Sequence, residues 1–384
     1  KQETYNESRA ELRDAARASF LHKKKKELLD NDQLQQLWVL LEKSVPVDNQ
    51  TMDYSDFKRI ASLLDSHEAR KYFDPCVFAK LLNGNKEGRV SISDFFNYVM
   101  RKVWYQEKRI ELSFYNVDGS GYLRENGLQN YILELMPTLT KIQDLDTSLH
   151  PFYLCVAARK FFFFLDPHHS EKIKILDILE SGFLDELLEL RNANLVKTRE
   201  ETNWFSSSNV LRLYSQYINL DEDQNGMLSK AEFSKFGNSC LSPLFVDRIF
   251  EEFITYDGEI DFKSFVDFIL MMENKKEPQS LNIFFRLLDI NQKGYIDSFV
   301  FKVFFKSLEE KLREQGHDLL NFTDICSEIF DMVKPVHQYR ITLKDLIASG
   351  EGDIVVSIVS DCNGFWAYEN RECVLLDTQE EAEV

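Results

Sequence analysis

Long apolar runs are missing from this chain. No stretch of eighteen or more apolar residues occurs in the 384 residues, which excludes a hydrophobic transmembrane helix. No secretory leader is visible, and the expectation is a soluble intracellular protein. Cysteine is sparse: Cys76, Cys155, Cys240, Cys326, Cys362 and Cys373 are scattered without a CxxC spacing. That excludes a common zinc module and predicts reduced thiols. Positive charge is in deficit, with a net charge of −18, so the chain lacks the basic face that phosphate-backbone binding needs. The one basic run, Lys23–Lys26, reads as a solvated helix face or as a localisation or anionic-lipid patch. Catalytic signatures are absent too: there is no GxxxxGK loop, no HExxH, no GxSxG and no glycine fingerprint after a strand. His168 and His169 are adjacent and would face different ways in a helix. Composition and motifs give no catalytic constellation.

Acidic loops are abundant. Asp221-Glu-Asp-Gln-Asn-Gly-Met-Leu-Ser-Lys-Ala-Glu232 has the twelve-residue spacing of an EF-hand calcium loop. Asp221, Asp223 and Asn225 take positions one, three and five, and Met227 at seven would offer its backbone carbonyl. Glu232 at twelve is long enough to bind with both oxygens, and Ser229 at nine can act through water. Gly226 at six allows the sharp turn. Ca²⁺ takes six to eight oxygens at about 2.3–2.6 Å, and this spacing supplies them from one turn. Val210, Leu213, Tyr214, Tyr217 and Ile218 predict an amphipathic helix before the loop, with Ser207, Ser208 or Asn209 as its cap. Phe233 and Phe236 continue an apolar stripe after it.

EF-hand loops pair through a short antiparallel bridge at position eight, so fainter copies are expected. Asn83–Asp94 keeps Gly88 and Val90 but ends in the shorter Asp94. Asn116–Gly127 keeps Gly121 and Leu123 and loses the final carboxylate at Gly127. Asp289–Val300 keeps Asp289, Asn291, Gly294 and Asp297, but Lys293 puts a cation at position five and Val300 supplies no ligand. Asp166–Asp177 has Ile173 at eight, and Asp257-Gly-Glu-Ile260 reads as half a loop. Met52–Phe57 and Ile341–Leu346 read as loop ends. The fold class is therefore all-α: about eight helix-loop-helix units in two lobes, with tiny β bridges between paired loops. The expected organisation is a charged helix over 1–30, a lobe over 31–190, a linker over 191–208, a second lobe over 209–350 and a tail segment over 351–384. Asp353–Ser360 reads as a strand or a buried helix, and Asn363–Trp366 as a turn. The phenylalanine run Phe161–Phe164 reads as a buried helix, and 377–384 as a disordered acidic end.

Several segments together resemble one family. They are Asn97–Trp104, Lys160-Phe-Phe-Phe-Phe-Leu-Asp-Pro167, Glu201–Phe205, Asn225–Lys230, Ile329-Phe-Asp-Met-Val-Lys-Pro335, Asn363–Trp366 and Glu369–Glu372. They are similar to the B-double-prime family of protein phosphatase 2A regulatory subunits, in its gamma-type branch. The resemblance implies a non-catalytic subunit that binds the scaffold (A) and catalytic (C) subunits and directs substrate choice and location. It implies calcium at the loop of Asp221, Asp223, Asn225, Met227 and Glu232, and a cytoplasmic, nuclear or centrosomal and microtubule setting. The rival reading is a stand-alone calcium sensor or adaptor. Sensors use Met-rich grooves, and only 7 Met occur here against 31 Phe.

Overall fold

The computed structural model describes residues 2–45, 50–82, 87–314 and 322–371, with side chains from Leu12 onward except that of Glu314. The first four residues of the Asn83 loop, Cys373 and the acidic end lie outside these residues. The leading helix is Gln2–Lys26, and Lys23–Lys26 form its last turn. Cations there complement the negative end of the helix dipole, which favours the structural reading of the lysine run.

Between Asn31 and Ser349 the described residues repeat one motif, helix, loop and helix. Position eight of each loop is where two repeats join. Thr51–Met52 pairs antiparallel with Val90–Ser91, and Tyr122–Arg124 with Lys172–Lys174. Single bridges join Leu228 to Ile260 and Ile296 to Ile341. Among the described residues these make four pairs from eight repeats, as the spacing of the aliphatic residues requires. Met52, Val90, Leu123, Ile173, Leu228, Ile260, Ile296 and Ile341 are all buried. The first pair closes a core of its own beneath the bridge. In the first pair Phe57, Phe78 and Phe95 meet there, with Phe57 and Phe95 edge to face at 5.3 Å.

Two compact units emerge. One comprises Lys1–Leu135 and Glu171–Asp185, the other Met136–Ser170 and Glu186–Val384. These breaks fall elsewhere than the 191–208 segment. That segment is structured: Lys197–Thr202 is helical, and Trp204 and Phe205 are buried. Asn203 donates to the Glu186 carbonyl at 2.8 Å, and the Trp204 indole to the Val156 carbonyl at 3.1 Å. Its low aliphatic content hid how much its aromatic and amide groups bury. The phenylalanine run lies in helix His150–Leu165 with Phe161, Phe162 and Phe163 buried. That helix packs on Ser207–Leu220 and Phe262–Glu273.

The C-terminal segment settles one alternative and corrects another. Gly352–Ser360 is a helix burying Val355, Val356, Ile358 and Val359. Burial on most sides overrides the β preference of its branched residues. Asn363–Trp366 is not a turn but lies within helix Cys362–Glu369, capped by Asp361 through Gly364 N at 2.6 Å. The glycine serves a close approach instead. A Cβ at Gly364 would stand 2.5 Å from the Ser357 carbonyl oxygen of the preceding helix. Replacing Gly364 with Ala should therefore destabilise the folded chain by about 2 kcal/mol, as overpacking does. Thermal unfolding of the variant against the parent checks this; an unchanged or raised melting temperature would refute the contact.

Candidate functional site

The incoming helix of the fifth repeat, Ser207–Leu220, is capped by Ser206, one residue earlier than expected: Ser206 Oγ accepts from Asn209 N at 3.2 Å. Val210, Leu213, Tyr217 and Leu220 are its buried stripe. The exit helix is shorter than the apolar pattern suggests. It runs Lys230–Phe233 and gives way at Gly237 and Asn238, which adopt φ of 58° and 60°. Backbone in that region cannot continue a helix.

Asp221 and Glu232 are buried and Asp223 is exposed, and one carboxylate oxygen from each lies within 4.8 Å of the others. Three of the five predicted ligand positions thus converge through their side chains. Asn225 joins them from the same turn: its backbone N–H donates to Asp221 Oδ1 at 3.1 Å and Asp223 Oδ1 at 3.0 Å. Gly226 N donates to Asp221 Oδ2 at 3.0 Å, with Gly226 at φ 81°. Met227 follows, its N–H donating to Asn225 Oδ1 at 2.7 Å.

Glu232 closes the loop from the far end. Its Oε1 accepts from Glu222 N at 2.9 Å, and its Oε2 accepts from Ser229 N at 2.9 Å and Ser229 Oγ at 2.6 Å. Ser229 and Glu232 form the capping box of the exit helix, so loop positions nine and twelve are also N-cap and N3. The Ser229 hydroxyl, opposed by burial and aided by backbone amides, holds the Glu232 carboxyl below its ordinary value. The donor set is all oxygen and strongly anionic, the chemistry of a hard divalent cation rather than a soft one.

Two contributors were not singled out by the spacing. The Tyr217 hydroxyl donates to the Gly226 carbonyl at 2.8 Å, pinning the turn to the incoming helix. Burial first, and then the nearby Asp261, Asp221, Glu259 and Glu232 carboxylates, keep this phenol protonated. Glu259 of the sixth repeat meets the Asn225 amide nitrogen. A glutamate one residue before the pairing Ile260 was the available signal.

Four other described loops are closed by protein contacts. In the third repeat, position twelve is Gly127, and a Cβ there would lie 2.9 Å from the Tyr115 carbonyl oxygen. The helix ends meet directly where a glutamate would have stood. In the sixth, Ser264 Oγ at position twelve donates to the Ile254 carbonyl at 3.1 Å. In the seventh, Asp289 accepts from Lys293 N at 2.9 Å and Gly294 N at 2.7 Å, and Val300 is buried. The Lys293 ammonium, on an exposed residue, lies 3.9 Å from Asp297. In the eighth, Asp345 accepts from Thr342 N at 2.9 Å and Val336 N at 3.3 Å.

Paired helix-loop-helix repeats with a preorganised acidic loop define an EF-hand protein. The chain is 51% identical over 368 residues to the gamma member of the B'' regulatory subunits of serine/threonine-protein phosphatase 2A from Danio rerio, covering 95% of this chain and 80% of that protein. It belongs to the B'' (B-double-prime) family of serine/threonine-protein phosphatase 2A regulatory subunits. The human gamma member is 50% identical over 373 residues, 96% of this chain and 82% of that one. TON2 of Arabidopsis thaliana, a probable B'' member, is 35% identical over 377 residues, 94% and 78%. A solved chain described as from a PP2A PR70 holoenzyme matches with a TM-score of 0.56 at 24% identity, covering 63% of this chain and 91% of that one, a likeness of fold. No family model matches the chain. Among the described residues no helix is long and apolar enough to cross a membrane.

The lowered Glu232 value has a pH consequence. A carboxyl held below its ordinary value of 4.5 stabilises the fold above that pH, and the gain is lost as pH falls through the lower folded value. Without metal, stability should decline below about pH 4.5, and Glu232→Gln should flatten part of that decline. Urea unfolding midpoints across pH 3–6, about that reference, measure it; parallel curves would refute the buried, hydrogen-bonded carboxylate.

Proposed function

We propose that this chain is a calcium-binding, non-catalytic regulatory subunit of protein phosphatase 2A. It assembles with the scaffold (A) and catalytic (C) subunits, and it directs the phosphatase towards phosphoprotein substrates and places. The observation that carries this reading is the likeness to named B'' gamma subunits along 95% of the chain. The chemistry belongs to the catalytic subunit. This chain contributes surface, rigidity and charge. Its net charge of −18 favours encounter with basic substrate segments, an attraction that weakens as salt rises.

Calcium at the fifth repeat would be held by Asp221, Asp223, Asn225, the Met227 carbonyl and Glu232. The anionic donor set supports this. Bound there, the ion would supply positive charge that relieves repulsion among three carboxylates. Glu232 would couple the ion to the exit helix because it also caps that helix. Glu232→Gln should weaken calcium binding roughly tenfold or more, since it removes a charged bidentate ligand. Calorimetric titration reads this directly, and an unaltered affinity would remove Glu232 from the ligand set.

The test of the assembly is co-purification of the full chain with the scaffold and catalytic subunits, with calcium and with a chelator. The expected result is a one-to-one-to-one complex, strengthened by calcium. A complex indifferent to calcium would make the loop structural. No complex in either condition would support the stand-alone sensor instead. For localisation, the proposal is cytoplasm and nucleus, with a centrosomal or microtubule-associated fraction. A fluorescent fusion confined to any other compartment would refute it.

A further inference from the structure

The sixth repeat lacks side-chain ligands at both ends of its loop: position one is Phe253, and Ser264 at position twelve already donates to the Ile254 carbonyl. By composition it is a silent partner. It nevertheless delivers a carboxylate to its neighbour's loop. Asp257 and Gly258, at φ 52° and 86°, form a tight two-residue turn of the kind that Asp-Gly favours. Tyr256 N donates to the Glu259 carbonyl at 2.8 Å, and Glu259 N to the Tyr256 carbonyl at 3.0 Å. The next residue, Ile260, pairs with Leu228 through two backbone bonds of 2.8 and 2.9 Å. Glu259 therefore sits on backbone fixed both to its own turn and to the fifth repeat's loop. Its side chain is half-buried.

There it accepts from the Asn225 amide nitrogen with both oxygens, Oε1 at 3.4 Å and Oε2 at 3.3 Å. Asp223 Oδ2 accepts from the same nitrogen at 3.2 Å. An asparagine amide has one donor end and one acceptor end. Two carboxylates on the donor end leave Oδ1 as the acceptor end; it takes the Met227 N–H at 2.7 Å and keeps a second lone pair for a cation. A carboxylate that holds a ligand from behind is a recurrent device of metal sites, and it also adds charge close to the ion.

We infer that Glu259 is a working part of the fifth repeat's cation site, supplied by the metal-silent sixth repeat. It positions Asn225 and raises the site's affinity by its charge. The inference rests on the calcium reading above, and it explains what the decayed neighbour does besides pairing. One unit charge about 7 Å from a divalent ion, in water-like surroundings, changes affinity roughly fivefold at low salt. Screening shrinks that factor as ionic strength rises.

The experiment is calorimetric titration of the full chain and its Glu259→Gln variant with calcium chloride, in low-salt buffer and in about 0.5 M potassium chloride, where the Debye length is only a few ångströms. Circular-dichroism melting of both proteins without metal accompanies it. The expected result is a variant about fivefold weaker at low salt, a gap that narrows at high salt, and equal metal-free melting temperatures. Equal affinities would overturn the inference while leaving the calcium reading intact. So would a loss that is the same at both salts and comes with a lowered melting temperature, since that is general destabilisation. An unsubstituted chain that fails to bind calcium would overturn the calcium reading itself, and this inference with it.

Discussion

The antiparallel contact at position eight is the constraint on which the rest of this molecule depends. Two helix-loop-helix repeats, each too small to bury its own apolar face, share one core when their loops meet backbone to backbone. The pairing needs little from the sequence: an aliphatic side chain pointing inwards and free N–H and C=O groups pointing across. Leu228 and Ile260 satisfy it with two hydrogen bonds, and so do Ile296 and Ile341. That economy explains how the architecture persists through loops that have lost almost every metal ligand. Buried, unpaired backbone groups would be expensive, so the bridge is retained where the carboxylates are not.

Position twelve shows what takes the metal's place. In an EF-hand loop this residue ties the end of the loop to its beginning, and it coincides with N3 of the exit helix. Asp56, Glu232 and Asp345 all complete capping boxes there. A carboxylate at this site thus has a structural use with or without an ion. Glu232, one carbon longer, also reaches the amides of Glu222 and Asp223 at the loop's start. Asp345 spans its own loop to Val336, Ser264 uses a hydroxyl, and Gly127 lets two helix ends touch. Structural closure at position twelve thus takes graded forms of one contact.

Much of the fold was legible because its signals are periodic. The recurring aliphatic residue, from Met52 through to Ile341, located all eight repeats even where ligands had decayed. Asp221, Asp223 and Glu232 were legible as a converging set because their spacing is fixed by one turn of backbone. The features that were not legible depend on tertiary contacts. Nothing local distinguishes Gly364 as a helix-packing glycine from Gly364 as a turn. The β-branched run at 353–360 is helical because its surroundings are apolar, and Trp204 and Phe205 are buried by partners distant in sequence. Glu259 fell outside the ligand pattern because it acts from the neighbouring loop.

The central claim is that, among the described loops, the fifth repeat's brings the proposed ligand set together while those of the third, sixth, seventh and eighth repeats close by protein contacts. Native mass spectrometry of the full chain under calcium titration tests it most directly, read beside Glu232→Gln. The account predicts a single tightly held calcium ion per chain that disappears in the variant. No bound ion, a second ion of comparable affinity, or an ion that survives the substitution would contradict it.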